Sequence, residues 1–349
     1  MKFKIKIINQ IVALVFILFT FAGYAQSSDT VSIVGVGDIM LGTNFPSKDY
    51  LPPNQGRDLL AAVNFTLNDA DITFGNLEGT ILDKGATIKT GCKNCYAFRM
   101  PEFLADNLVT AGFDFLSIAN NHIRDFGSSG INNTIRVLTE NGIEAAGVLS
   151  RKTATLTRNG VSFGLAAFAP NIGTVQITDI VNAKKIVREL AKTNDIVIVS
   201  FHGGAEGVKH QRVPQKTEYY YGENRGNVHK FAHAVIDAGA DIVFGHGPHV
   251  TRAVEVYQDR FIAYSLGNFC TYGRFNLRGA KGIAPIIKVY VTTNGRFKKA
   301  EVTSIKQIGK GIVRVDFGDQ ALNKIQSLTR TDGFADNIDI SNNGWITPK

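Results

Sequence analysis

Short apolar runs alternate with amphipathic stretches along most of this chain. Runs rich in β-branched and aromatic residues predict strands at 31–36, 71–75, 113–119, 195–200, 242–244 and 261–266. Helical periodicity and helix-start residues predict helices at 57–69, 101–111, 127–141, 181–192, 227–238 and 320–328. Asn-Gly pairs at 159–160 and 294–295 predict two β-hairpins. This order of elements is typical of an α/β fold with mixed sheets.

The composition supports a large globular domain. The 349 residues are 44% apolar, 10% aromatic and 19% charged, which is enough apolar surface for a sizeable core. We find no internal repeat, no low-complexity linker and no clear domain boundary, so one large domain or two smaller ones remain possible from length alone. We predict a domain over 26–318 and a polar C-terminal tail over 319–349.

The N-terminus has the pattern of a signal peptide. Three lysines within the first six residues precede an apolar stretch at 11–22, and Gly23 and Ala25 flank a cleavage position. We predict a signal peptide over 1–25, cleaved after Ala25, and export to the periplasm, the cell envelope or the medium. A retained membrane anchor is the alternative, but the apolar run is short for a span.

The net charge limits the range of partners. The formal charge is +8, and removal of the three signal-peptide lysines leaves 35 bases against 30 acids, or +5. A surplus of this size predicts mild attraction to anionic polymers. The basic residues are spread along the chain, so nucleic acid is not an expected partner.

The chain has three cysteines. Cys92 and Cys95 have two residues between them in a predicted loop, and an oxidising compartment favours a short local disulfide between them. A thioredoxin-like redox pair is the alternative. Cys270 has no predicted disulfide partner, and we expect it to be buried.

Polar side chains follow five of the predicted strands at the point where each strand ends. Strands joined by helical crossovers run parallel, so we expect these C-terminal ends to share one edge of a sheet. Carboxylate, amide and imidazole groups together suit Zn, Mn or Fe, and we predict a divalent metal site. The alternative is a set of unrelated loop side chains. The predicted ligands are Asp38, Asn76, Glu78, Asn121, His202, His246 and His249.

A second histidine pair lies outside any strand end. His229 and His233 are four residues apart in the predicted helix 227–238. They could bind a metal, but a pair on one helix face is more often structural, and we interpret them so.

The ordered series of these motifs resembles the capsule-synthesis CapA family. That family is associated with poly-γ-glutamate capsules and is related to the calcineurin-like metallophosphoesterases. The resemblance covers about residues 31–272 and implies a four-layer sandwich of two mixed sheets, like that of metallo-dependent phosphatases, with helices outside. The motifs that resemble the family lie at 37–42, 76–79, 120–122, 201–206, 245–249 and 265–269.

The pattern departs from that of the related phosphoesterases at three points. Met40 stands where they have their first histidine, Asn76 or Glu78 must replace a bridging aspartate, and the last histidine pair, His246 and His249, is one residue wider. A thioether is a poor ligand for a hard metal, so we predict a single ion.

The resemblance implies a metal-dependent hydrolase that acts on an anionic polymer or a phosphoester, together with other capsule-assembly proteins. His122 would protonate the leaving group, with Asp125 or Glu206 orienting an imidazole. Guanidinium groups would hold phosphate or carboxylate, although each could instead form a surface ion pair. Two alternatives are a non-catalytic role in polymer binding, assembly or export, and cleavage of γ-glutamyl amide bonds. The predicted substrate-binding residues are Arg99, Arg124, Arg252 and Asn268.

Overall fold

The structure, a computed structural model, describes residues 30–90 and 96–349. The predicted signal peptide and the pair Cys92 and Cys95 lie outside the described residues. Within these ranges the chain forms 20 strands and six α-helices, numbered here in chain order. The helices are α1 (Asn64–Asn68), α2 (Ala105–Thr110), α3 (Gly127–Glu140), α4 (Ile180–Ala191), α5 (Val228–Ile236) and α6 (Gln320–Thr331).

Ten strands form a large mixed sheet. They are β1 (Thr30–Met40), β2 (Ile72–Leu77), β5 (Phe115–Ser117), β6 (Glu144–Ala146), β15 (Asn268–Thr271), β16 (Ile283–Thr292), β17 (Phe297–Ile308), β18 (Ile312–Val315), β19 (Ile338–Ile340) and β20 (Trp345–Pro348). Their main order is β19-β20-β17-β16-β1-β2-β5-β6, with β15 also paired to β1 and β18 to β17. Strands β1, β2, β5 and β6 are parallel, as the crossover argument predicts.

Six strands form a second mixed sheet. They are β7 (Thr153–Arg158), β8 (Val161–Phe168), β9 (Ile196–His202), β12 (Ile242–His246), β13 (Val254–Tyr257) and β14 (Arg260–Ala263), in the order β13-β14-β12-β9-β8-β7. The four inner strands are parallel, and β7 and β13 are antiparallel edges. Two-residue ladders join β3 (Thr80–Ile81) to β4 (Arg99–Met100) and β10 (Tyr219–Tyr220) to β11 (Glu223–Asn224).

The two sheets pack face to face around a shared core. Ile33 and Phe74 of the large sheet lie in one buried cluster with Ile198 and Phe244 of the second sheet. The rings of Phe74 and Phe244 stack with centroids 5.4 Å apart. Side chains of alternating strand positions therefore fill the space between the sheets.

Helices cover the outer faces of both sheets. Leu108 of α2 and Val137 of α3 pack in one cluster with the outer residue Val34 of β1. Val187 of α4 and Phe231 of α5 pack in another cluster on the second sheet. The predicted α/β class and four-layer arrangement are confirmed. Among the described residues, no helix combines the length and apolar character needed to cross a bilayer.

The prediction of a helix at 57–69 is wrong for most of these residues. Only Asn64–Asn68 is α-helical, although Leu59, Val63 and Leu67 are all buried. The carbonyl of Leu59 accepts a hydrogen bond from the N–H of Val313 at 3.0 Å, so this segment pairs with β18 instead of closing helical turns. The spacing of apolar residues there reflects burial of their side chains. The backbone groups form hydrogen bonds with other segments.

The segment predicted as a C-terminal tail, 319–349, is part of the fold. Helix α6 has Leu322 and Ile325 in the core between the sheets. Strand β20 pairs with β17 and extends the large sheet, with β19 as its edge strand. The polar composition of these residues reflects an edge position, where one face is in solvent.

Candidate metal centre

The predicted ligands come from strand ends of both sheets. Asp38 lies in β1, and Glu78 directly follows β2, in the large sheet. His202 ends β9 and His246 ends β12, where the two residues are register partners in the second sheet. The prediction of one shared sheet edge was therefore wrong in detail. The C-terminal edges of two packed sheets meet, which brings these groups together.

Glycines let the chain segments approach closely at this point. A Cβ on Gly37 would lie 1.9 Å from the carbonyl oxygen of Gly267. The N–H of Asp38 donates to that carbonyl at 2.8 Å, which fixes the carboxylate at the sheet edge. His249 has a φ of 57°, a left-handed conformation that turns the loop back toward Asp38.

Two carboxylates and an imidazole form the centre of the site. One ligand atom from each of Asp38, Glu78 and His249 lies within 4.8 Å of the others. His249 Nδ1 lies 3.0 Å from Asp38 Oδ2, and its Nε2 lies 3.6 Å from Glu78 Oε1. His246 Nδ1 lies 3.5 Å from the other oxygen of Asp38. This is a mixed oxygen and nitrogen donor set.

Several of these donor atoms are buried and have no hydrogen-bond partner among the residues that the structure describes. They include both carboxylate oxygens of Glu78, both ring nitrogens of His202 and Nε2 of His246. Glu78, His202 and His246 are fully buried. Polar groups removed from water in this way are costly unless something else satisfies them. A divalent cation would satisfy the Glu78 carboxylate and one ring nitrogen of each histidine, so the residues present fit a metal ion.

The pKa values reflect the same crowding of opposite charges. Burial raises the pKa of Glu78 well above its usual range, with Asp38 and Glu206 adding to the effect. Burial would also raise the pKa of Asp38, but hydrogen bonds and charge from His246 and His249 hold it well below its usual range. Burial lowers the pKa of His202. Burial also disfavours the charged form of His249, but the neighbouring carboxylates raise the pKa of His249 to about 10.

The predicted proton donor has a carboxylate partner. His122 Nδ1 lies 2.8 Å from Asp125 Oδ2, and its Nε2 lies 4.0 Å from Glu78 Oε1. Asp125 also accepts the N–H of Phe98 at 2.7 Å and pairs with Lys89 at 2.5 Å. Burial lowers the pKa of His122, and Lys89 lowers it further against the effect of Asp125. Asp125 thus orients His122, with the other ring nitrogen directed toward the metal ligands.

The asparagines at the site have different contacts. Asn76 Nδ2 donates to Asp38 Oδ1 at 2.9 Å, and its Oδ1 accepts from Asn120 at 3.2 Å. Asn76 thus positions Asp38, and its role as a ligand stays a prediction. Asn121 Oδ1 is buried, has no hydrogen-bond partner among the described residues and borders the adjacent cavity, so it remains a candidate ligand. Asn268 Oδ1 lies 3.1 Å from His249 Nδ1 and supports that ring.

Glu206 lies beside His249 and Arg225. Its Oε2 is 3.9 Å from His249 Nε2, and its Oε1 is 3.4 Å from Arg225 Nη2. Glu206 therefore contacts His249, whereas Asp125 is the carboxylate that holds His122. The buried Arg225 was missed by the sequence reasoning, because it lies in a loop with no strand-end or motif signal.

The three predicted substrate-binding arginines are not grouped at the site. Arg99 donates to Asn44 Oδ1 at 2.6 Å and to the carbonyl of Gly85, so its guanidinium is used within the loops. The stem of Arg124 lies against Gly173. Arg252 is fully buried in a two-pronged ion pair with Glu218, at 2.7 and 2.9 Å. Arg99 and Arg252 thus make structural contacts of their own, and a substrate-binding role for Arg124 stays a prediction.

A cavity of about 330 Å³ opens beside the metal ligands. His122, His249 and Glu206 line one side of it. Aromatic and basic residues that the sequence reasoning missed line the other side, namely Lys89, Tyr96, Phe98, Arg274 and Phe275. Arg274 follows the end of β15 by three residues, which is the one signal that could have identified it.

Comparisons with known proteins agree with the motif series. The family described as "Bacterial capsule synthesis protein PGA_cap" matches residues 32–272. The chain is 28% identical to "Capsule biosynthesis protein CapA" of Bacillus anthracis over 265 residues, 70% of this chain and 60% of that protein. It is also 28% identical to "PGA biosynthesis protein CapA" of Bacillus subtilis (strain 168) over 285 residues, 74% of this chain and 70% of that protein.

The match thus spans 60% and 70% of the length of these two curated relatives. Among solved structures, a putative 5'-nucleotidase from Staphylococcus aureus aligns with a TM-score of 0.43 and 14% identity, over 82% of this chain and 53% of that one. The family match covers more than half of the sequence and contains every strand-end motif described above. This chain belongs to the bacterial capsule synthesis protein family PGA_cap.

Proposed function

We propose that this chain is an exported, metal-dependent hydrolase that acts on an anionic capsule polymer of the poly-γ-glutamate type. The observation that carries the proposal is the convergence of buried, unpartnered carboxylate and imidazole atoms at the edge of a polar cavity. The curated relatives named for capsule and PGA biosynthesis support the polymer class. The basic and apolar N-terminal pattern supports export. A relative named "Probable polyglutamine synthesis accessory protein" supports work beside other assembly proteins.

The residues that would hold the ion are those whose carboxylate and imidazole groups converge at the centre. They are Asp38, Glu78, His202, His246 and His249, with Asn121 as a further oxygen donor. When bound, a divalent ion polarises the attacked carbonyl or phosphoryl group and lowers the pKa of an attacking water. Zn, Mn and Fe all suit this donor set.

His122 would deliver a proton to the leaving group. Asp125 holds Nδ1 of the ring, so the Nε2 side faces the cavity and the ligand Glu78. The ring also packs on Phe98, with centroids 4.3 Å apart, and this contact limits its rotation. A fixed imidazole at the cavity wall is suited to general acid catalysis.

Arg274 would bind the negative charge of the substrate. Its guanidinium lies over the rings of Tyr50 and Tyr96, at 4.9 and 4.7 Å from their centroids. These contacts leave the planar edge of the guanidinium free for a carboxylate or a phosphate. Lys89 adds positive charge on the same wall, although Asp125 already neutralises part of it.

The test measures bound metal first and turnover second. Purified protein, loaded separately with Zn²⁺, Mn²⁺ and Fe²⁺, is assayed with γ-glutamyl oligomers and with phosphodiester and phosphomonoester substrates, with and without chelator. We expect metal-dependent turnover that Asp38→Asn and His246→Ala abolish together with the bound metal. Glu144→Gln is the matched control, because Glu144 begins β6 at the opposite edge of the large sheet.

The preferred substrate separates γ-glutamyl amide cleavage from phosphoester cleavage. Stoichiometric metal binding without turnover of either substrate class would refute the proposed hydrolase activity. A polymer-binding role in assembly or export would then remain. One observation favours that second function. Met40 stands at the position of a metal-ligating histidine in related phosphoesterases, and it is buried in the outer apolar cluster.

A further inference from the structure

A second group of metal-binding side chains lies on the outer face of the second sheet. His229 and His233 are one turn apart on α5, and Glu255 lies on the edge strand β13. One ligand atom from each of the three lies within 4.8 Å of the others. The rings of the two histidines have centroids 4.1 Å apart, and His233 Nε2 lies 3.1 Å from both oxygens of Glu255. The helix spacing thus points two imidazoles at one carboxylate.

Neighbouring aromatic residues hold these groups in place. The ring of His233 stacks on Tyr257, with centroids 3.7 Å apart and planes 13° from parallel. The ring of His229 lies nearly parallel to Phe334, with centroids 5.8 Å apart. The hydroxyl of Tyr264 donates to Glu255 Oε2 at 2.5 Å, which orients the carboxylate. Such supporting contacts orient ligands and strengthen metal binding.

The three side chains are accessible to an ion. The side chains of His233 and Glu255 are 22% and 13% exposed, so a metal can enter and a water can complete its coordination. In a tetrahedral zinc site, ligands about 2 Å from the ion lie roughly 3.3 Å from each other. Small side-chain rotations therefore bring atoms within 4.8 Å to that distance. Burial and the neighbouring His233 lower the pKa of His229, which favours the neutral imidazole that binds metal.

We infer that His229, His233 and Glu255 form a second divalent metal site that takes Zn²⁺ with a water as the fourth ligand. Two imidazoles and one carboxylate favour a borderline transition metal over Mg²⁺ or Ca²⁺. The site links α5 to the edge strand β13, which pairs with β14 on one side only. A bound ion would fasten this edge to the helix layer and stabilise the folded chain.

The experiment measures Zn²⁺ binding to the untagged full-length protein after treatment with chelator. We expect His229→Ala to weaken Zn²⁺ binding at one site by about 100-fold or more, since even supporting residues cost 10- to 100-fold. His233→Ala should have the same effect. His210→Ala is the matched control. This substitution also removes an imidazole, but His210 belongs to neither metal-binding cluster. Zn²⁺ should raise the melting temperature of the control and of the wild type more than that of His229→Ala.

The outcomes separate this site from the proposed active centre. If both exist, the wild type binds two ions, and Asp38→Asn and His229→Ala each remove a different one. If only the active centre exists, His229→Ala and His233→Ala leave the metal count and the affinities unchanged, and the inference is overturned. Anomalous diffraction at the zinc edge on wild-type crystals is a check that does not depend on variant folding. A peak between α5 and β13 supports the site, and its absence at saturating Zn²⁺ refutes it.

Discussion

Arg252 provides a direct test of whether a buried cation in this fold serves structure or substrate. Its side chain is fully buried, and the side chain of its partner Glu218 is 6% exposed. Nη1 and Nη2 donate to the two oxygens of Glu218 at 2.9 and 2.7 Å. Nε donates to the carbonyl of His210 at 2.9 Å, and Nη2 also reaches the carbonyl of Ala205 at 3.2 Å. Arg252 thus joins three loop segments behind the metal centre.

Replacement of Arg252 by Met keeps most of the side-chain volume and removes all four contacts. It leaves the Glu218 carboxylate buried with the N–H of Ala205 as its remaining hydrogen-bond donor. Removing one partner of a buried ion pair costs about 3 to 5 kcal/mol. An unfolding entropy of about 2.1 cal/mol/K per residue over roughly 320 residues gives about 0.7 kcal/mol/K, so the melting temperature should fall by about 4 to 8 °C.

A double-mutant cycle with Glu218→Gln isolates the pair. The double variant should be more stable than the sum of the two single losses indicates, with a coupling free energy of about 1 to 3 kcal/mol. Calorimetric and denaturant unfolding are measured on the wild type, both single variants and the double variant. An Arg252→Met protein that melts within about 1 °C of the wild type but binds substrate much more weakly would refute the structural role and restore Arg252 to the substrate site.

Three further predictions concern the proton donor, the substrate arginine and a titrating carboxyl. Asp125→Asn should lower kcat by about 10²- to 10⁴-fold because His122 loses its orienting carboxylate, with bound metal unchanged; a rate within about threefold of the wild type would contradict this. Arg274→Met should raise KM for an anionic substrate about tenfold or more, from a lost charged hydrogen bond of about 1.5 to 3 kcal/mol, whereas Arg99→Met should leave KM unchanged; equal effects would remove Arg274 from the substrate site. Burial raises the pKa of Asp241 to about 6 from 3.8. The proton of Asp241 is therefore bound more tightly in the folded state than in the unfolded state. The resulting stabilisation is fully present below pH 3.8 and is lost as the pH rises to about 6. Relative to Asp241→Asn, the wild type should lose up to about 3 kcal/mol of unfolding free energy over that range, and parallel pH profiles in denaturant unfolding would contradict the assignment.

The general arrangement of the site followed from the order of elements. Crossover connections make the strands parallel, so Asp38, Glu78, His202 and His246 had to come to the C-terminal ends of strands. The sequence did not show that these strands belong to two sheets. That division depends on which apolar faces pack together, as Phe74 does with Phe244, and such pairings join residues far apart in the chain.

The side-chain contacts were harder to predict than the strand ends. Asn76 and Glu78 lie at the end of the same strand, and spacing alone does not distinguish their contacts. Asn120 donates to the oxygen of Asn76, whereas neither oxygen of Glu78 has a hydrogen-bond partner among the described residues. Similarly, Arg252 finds its partner 34 residues away in a loop, and no local pattern records such a pairing.

Met40 packs in an apolar cluster instead of at the proposed metal centre. In a regular strand, the residue two positions after Asp38 would share its face. Here the pairing with β15 shifts register between Asp38 and Ile39, because β15 has one extra residue there. Ile39, Met40 and Leu41 all lie in the outer apolar cluster, and the sulfur of Met40 accepts the N–H of Gly42. Met40 therefore contacts apolar neighbours and a backbone N–H, and the candidate donors next to the large sheet are Asp38, Glu78 and Asn121.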